Sequence, residues 1–239
     1  MQHFKIYLLA LPLALAACNA NMPQVMQTGA DVASAAGYNN QAQLVRGIKE
    51  ALELGSTRAA TQLATAGGYS NHSLYRITLP DNVQSMAKTL RQFGLGAQLD
   101  KVEALMNQGA ERAAAEAAGV FVTAVRDMNI TDALGIVRGS DTAATDYFRR
   151  QTEATLRQRY QPIIKQNLQQ LGFYNQYQQL LTTYKQLPIA NKPELDLEQH
   201  VLEQSLNGLF TEVGHQEQLI RKDPVGRGST IIGAVFNSN

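Results

Sequence analysis

Residues 99–128 read LDKVEALMNQGAERAAAEAAGVFVTAVRDM, and the reading of this stretch decides the fold. Val102, Met106, Ala110, Ala113, Ala117, Val120, Phe121, Ala124 and Met128 recur at three- and four-residue spacing, which places them along one face of a helix. Most of the side chains in the middle of that face are alanines. Where so little side chain separates two axes, a neighbouring helix packs close. The stretch therefore predicts one long helix, about Leu99 to Met128, running through the middle of the fold.

Both flanks continue the pattern. On the N-terminal side, Asp81 is a natural N-cap for a helix that turns Val83, Met86, Leu90 and Phe93 inward and closes at Gly94 and Gly96. Residues 73–79 alternate weakly before Pro80 and read as an extended segment, a short strand. Further upstream, Asn39 or Asn40 caps a helix carrying Leu44, Ile48, Ala51 and Leu52 on one face; Gly55 ends it. Ser56 then caps a second short helix, which Gly67 and Gly68 stop. On the C-terminal side a short helix runs from Asp132 to Val137 and ends at Gly139. Ser140 or Asp141 starts another, to about Tyr160, and Pro162 begins or kinks a further piece ending near Gly172. Tyr174, Tyr177, Leu181 and Tyr184 follow at helical spacing, and the preferred reading packs these rings at the core edge rather than against a partner. The loop Pro188–Pro193 is a break, and Glu194 to Arg221 is amphipathic again. Asp223-Pro224 is an N-cap followed by proline at the first helical position, opening a short helix that ends near Phe236. With tryptophan absent and Ala, Gln and Leu plentiful, the chain reads as an all-α, single multi-helix domain.

The N-terminus has a different character. Lys5 precedes an apolar run from Ile6 to Ala17, broken once by Pro12. This suits the apolar region of an export signal and is too short to span a hydrocarbon core of roughly 30 Å. Leu15-Ala16-Ala17-Cys18 resembles a bacterial lipobox, in which small residues precede the cut and the cysteine thiol takes the lipid. The expected organisation is a signal peptide at 1–17, the lipidated Cys18 with a tether over 18–40, and a helical domain over 41–239. Asn19, rather than the Asp that holds such proteins at the inner membrane, points to the periplasmic face of the outer membrane.

Composition removes several function classes. Cys18 is the single cysteine, so the processed chain has no thiol for a disulfide, a zinc site or a nucleophile. Loss of residues 1–17 removes Lys5 and no acid, leaving 20 basic and 20 acidic residues. A neutral body has no general pull on nucleic acid. His72, His200 and His215 lie at no zinc-helix spacing, and neither a nucleophile elbow nor a phosphate-binding glycine loop is present. No cofactor is expected. The expected partners are the membrane, through the lipid, and an envelope protein or small ligand.

A group of motifs carries a family resemblance. They are Gly47 to Leu52 with Gly55, Ile77 to Pro80, Met106-Asn107 with Ala110-Glu111, Met128 to Ala133 and Gly139 to Phe148. Gly208 to Phe210, Glu217 to Pro224, Arg227 and Val235-Phe236 complete the group. Together they resemble domain-of-unknown-function family 4197, uncharacterised proteobacterial lipoproteins, over residues 42 to 237. The resemblance implies a helical exported domain and supplies no activity. Gly109 departs from it, standing where a side chain is expected.

The polar motif residues are the candidate site. Asn107 and Glu111 are four apart and adjacent on one helix face, and Asp141, Thr145 and Arg149 repeat that spacing. Asp132 lies between the two groups, and Arg221, Asp223 and Arg227 follow near the C-terminus. In one reading these groups meet in a single polar site for an anionic or hydrogen-bonding ligand. In the preferred reading they are fasteners: Asp141 and Asp223 cap helices, Arg221 and Arg227 tie helix ends together, and Asn107 and Glu111 hold a loop. The expected function is a non-enzymatic binding module. The alternatives are a hydrolase or transferase with Glu111 or Asp132 as general base, and an envelope scaffolding factor. A buried, unpaired Glu111 would favour the functional reading.

Overall fold

The computed structural model describes residues 22–186 and 196–236. The expected signal peptide, Cys18 and the break expected at 188–193 lie outside the described residues. The chain divides into two compact units, Met1–Gln41 and Ala42–Asn239.

The first helix, α1, is Met22–Ala64. It replaces the expected tether from Met22 onward and continues through Gly55, where a stop was expected. Gly55 is a packing position: a Cβ there would lie 3.0 Å from Ile220 Cδ1. Ser56 is buried and donates to the Glu53 carbonyl of its own helix at 3.3 Å, so it caps nothing. Gly67 provides the turn that follows, at φ +88°, a left-handed backbone that glycine adopts without steric cost.

Residues 65–80 then cross the domain without regular structure. A short 3-10 turn, Asp81–Val83, leads into α2 (Gln84–Gln92), and Asp81 makes no side-chain cap there. The expected long central helix is two: α3 (Gly96–Ala114) and α4 (Ala117–Asp127). The break is a single tight turn in which the Glu116 N–H bonds to the Ala113 carbonyl at 3.1 Å. Alanine packs equally well on either side of such a turn, so the apolar stripe continues through it unchanged.

The helix α5 (Ile130–Val137) begins two residues before Asp132, capped by Asn129, whose side chain accepts from the Asp132 N–H at 2.8 Å. The helix α6 (Ala143–Gln170) passes through Pro162 as one element. It is followed by α7 (Phe173–Gln186) and α8 (Leu197–Lys222), the latter capped by Asp196. The C-terminal helix expected after Asp223 is two short ones, α9 (Pro224–Arg227) and α10 (Thr230–Phe236), separated at Gly228. No strand occurs among the described residues, and the fold is all-α. None of these helices is long and apolar enough to cross a membrane.

The core lies where α3, α6 and α8 meet, around Met106, Phe121, Phe148, Tyr160, Leu209 and Phe210. Phe121 sits edge-on to both Phe148 and Phe210. Gly109 faces Leu168 of α6; a Cβ there would stand 3.4 Å from its Cδ2. The missing side chain is thus a close helix–helix contact rather than a weak point. Tyr177 and Tyr184 are buried and pack into the same core from α7.

Candidate functional site

The segment 65–80 has backbone groups that neither helix nor sheet can satisfy, and it lies against the core. Buried N–H and C=O groups require partners. Three side chains of α3, one turn apart, supply them. Asn107 is 1 % exposed; its Oδ1 accepts from Ile77 N–H at 2.9 Å and its Nδ2 donates to Ile77 C=O at 2.8 Å. This two-point pairing is what a neighbouring strand would provide, but the partner is an amide. The expected strand over 73–79 is absent, since residues 73–75 form a turn closed by Arg76 N–H on the His72 carbonyl at 2.9 Å and only the residues around Ile77 run on without a turn. Glu103 accepts from Leu79 N–H at 3.3 Å and pairs with Arg76 at the same distance. Glu111, buried, receives on one oxygen the N–H groups of Gly67, Tyr69 and Ser70 and the Ser70 hydroxyl, at 3.1–3.4 Å. That concentration of donors replaces the water the carboxylate loses on burial.

The helix α8 holds the other side of the segment. Tyr69, fully buried, donates to the Ser205 carbonyl at 2.7 Å. Its ring fits because residue 208 is glycine, where a Cβ would come within 2.8 Å of Tyr69 Cε1. His200 Nε2 donates to Thr78 C=O at 2.8 Å. Tyr75 donates to Glu212, a carboxylate with no exposed surface, at 2.5 Å. Burial first, and then that hydrogen bond and charge, push the Tyr75 hydroxyl well above the ordinary phenol range. Gln216 also donates to Glu212, at 2.6 Å, and His215 Nδ1 stands 3.4 Å from it.

A second buried carboxylate on α8, Glu217, takes the capping role expected of Asp141. It accepts from Ala144 N–H at 3.0 Å, Thr145 N–H at 2.9 Å and the Thr145 hydroxyl at 2.7 Å. These donors are the open N–H groups of the α6 N-terminus, where negative charge is stabilised. Arg221 completes the junction, donating to Glu217 at 2.8 Å and to the Ile136 carbonyl at 2.9 Å. Asp141 itself is exposed.

The candidate residues therefore fall in several places. Asn107 and Glu111 hold the 65–80 segment, whereas Thr145 and Arg221 meet at Glu217. Arg149 lies farther along α6, its guanidinium 4.5 Å from the Phe210 ring centre and 3.3 Å from Glu153. Asp223 caps α9 through Gly226 N–H at 2.9 Å. Arg227 is exposed, and its carbonyl accepts from Arg58. Asp132 stands with Asp127, Tyr147 and Arg159 on a separate groove of about 430 Å³. Burial, followed by the charges of Asp132 and Asp127, raises the Tyr147 hydroxyl there.

Glu103 and Glu212 went unread in the sequence, and Glu217 was read only as a motif residue, although a signal was present. Glu103 is four residues before Asn107 on the same face, and Glu212 lies within the α8 stripe between Leu209 and Val213. A carboxylate inside an apolar stripe implies a built partner. His72 and His215 carried no such signal. With Tyr75, Arg149 and Phe210 they line a groove of about 640 Å³ between the fastened segment, the start of α6 and the middle of α8.

The arrangement defines a class: an all-α domain in which buried carboxylates and one amide hold an irregular segment rigidly across the helices. The chain belongs to the family described as protein of unknown function DUF4197, whose profile matches residues 38–237. No curated protein and no solved structure matches it.

Proposed function

We propose that this protein is a lipid-anchored component of the bacterial envelope whose helical body binds a small ligand or partner and carries out no chemistry of its own. One observation carries the reading. The chain's own donors occupy the buried carboxylates of the helical core, while a groove of ligand size stands open beside the segment those carboxylates hold. A general base must reach a substrate proton. Glu111, with one oxygen loaded by four donors of the 65–80 segment, is built for holding. The anchor rests on the leader sequence and Cys18.

A second reading keeps Asp132 as a general base, supported by its half-exposed place beside Tyr147 on the polar groove. The leading reading is tested on protein isolated from its own cells under non-denaturing conditions. Native mass spectrometry should show an added mass that disappears on denaturation, and labelled fatty acid should enter the wild-type chain but not Cys18→Ser. A bare protein mass from cells grown under several conditions refutes the binding role, and label in the serine variant refutes the anchor.

A further inference from the structure

The larger groove has a donor set that its surroundings hold in fixed directions. Arg149 stands over the Phe210 ring, its guanidinium carbon 4.5 Å from the ring centre, where cation–π attraction holds it. One of its nitrogens pairs with Glu153, and its remaining N–H groups have no partner among the described residues. His72 is stacked on Tyr75, ring centres 4.0 Å apart and 10° from parallel. Its Nδ1 accepts from Leu74 N–H at 3.3 Å, which places the neutral ring's proton on Nε2. His215 is half exposed, with Nδ1 toward the buried Glu212 carboxylate. A carboxylate behind an imidazole orients the ring and leaves its far nitrogen facing outward. Each ring thus has one nitrogen committed to the protein and the other available.

The apolar side of the groove is equally specific. Leu74 is 74 % exposed, the most exposed large hydrophobic residue among those described. It does not hang on a loose loop. Ile77, Leu79 and Tyr75 immediately after it are held by Asn107, Glu103 and Glu212. An apolar side chain held out by a rigid segment at the rim of a groove is a contact surface waiting for cover.

Building on the binding-module reading, we propose that this groove binds a small molecule bearing a single carboxylate on an apolar body. The carboxylate lies against Arg149 and the two imidazoles, and the body covers the exposed Leu74. A guanidinium matches a carboxylate through two parallel hydrogen bonds. Charge selects carboxylate over phosphate. Asp146 on the same groove, Glu153 beside Arg149 and Glu212 behind His215 are all acidic, so a dianion meets more repulsion than a monoanion.

The test uses the full chain carrying Cys18→Ser and a panel of monocarboxylates with alkyl or phenyl-alkyl bodies of about six to twelve carbons, sized to a groove of this class. Their neutral amides and matching phosphonates serve as comparisons, and saturation-transfer NMR and calorimetry read the binding. The expected result is saturable binding of at least one carboxylate, weakened about tenfold or more in its amide, in its phosphonate and in Arg149→Gln. Leu74→Ser, at an exposed position that packing does not need, should weaken the same carboxylate several-fold with an unchanged melting temperature. No binding by any carboxylate, equal binding of acid and amide, tighter phosphonate binding, or full affinity in Leu74→Ser each overturns the proposal. The adduct from cells separates the two readings: one that persists in Arg149→Gln leaves a binding module and overturns the carboxylate site, whereas none on either protein overturns both.

Discussion

Replacing Asn107 with Asp changes one NH₂ into an oxygen at a buried position and leaves shape almost untouched, so it isolates the role of the amide. The Oδ1 acceptor for Ile77 N–H survives. The Nδ2 donor, which serves the Ile77 carbonyl at 2.8 Å and the Glu103 carbonyl at 2.7 Å, is lost. At neutral pH an introduced carboxylate would face both of those carbonyl oxygens. Two lost hydrogen bonds, two buried acceptors left short and a charge in poor surroundings together cost about 3–5 kcal/mol. Once protonated, the carboxyl can donate to one of the two carbonyls, and the cost falls to about 1–2 kcal/mol. The sign follows from that difference. The introduced group's pKa is raised in the folded state above its unfolded value of about 3.9, so the native state holds the proton longer. The destabilisation is therefore smallest below about pH 4 and grows as pH rises toward the raised pKa, by up to about 1.4 kcal/mol per pH unit. Urea unfolding followed by helical circular dichroism, with wild type subtracted at about pH 4.5 and about pH 7.5, measures both quantities. A loss below about 1 kcal/mol at the higher pH, or the same loss at both, would refute the claim that this amide substitutes for a strand.

Two further substitutions probe the helical framework. Gly208→Ala should destabilise by about 1–3 kcal/mol, because the new methyl meets the buried Tyr69 ring at 2.8 Å; a neutral result in thermal melts would mean the ring yields freely. Pro162→Ala should stabilise by about 1–3 kcal/mol, since residue 162 is exposed inside a continuous helix and alanine restores a backbone donor; a lower unfolding midpoint would refute that.

The candidate residues show how far sequence reasoning reached. Asn107 and Glu111 were legible because their four-residue spacing fixes them side by side on any helix. What they hold was not legible, since the 65–80 segment has only a weak alternation and the groups these two residues bind lie 30 to 44 residues away. Asp141 looked like the cap of α6 from its position alone; Glu217, 73 residues from Ala144, occupies that place. A local rule predicts the nearest oxygen, whereas tertiary packing delivered a buried one from a distant helix.

The amino-acid order by itself determined that the domain is helical, which faces are apolar and which polar residues share a turn, because helix periodicity and propensity act over a few residues. It also carries the apolar N-terminal run and the cysteine on which the expected anchor rests. The break at Ala115–Glu116, the passage of α1 through Gly55 and the placing of His72, Arg149 and His215 around one groove were decided only by the tertiary structure. The reason is physical: a single tight turn, a glycine at a helix crossing and the meeting of three distant side chains leave no periodic trace, and each is selected by the fit of elements far apart in the chain.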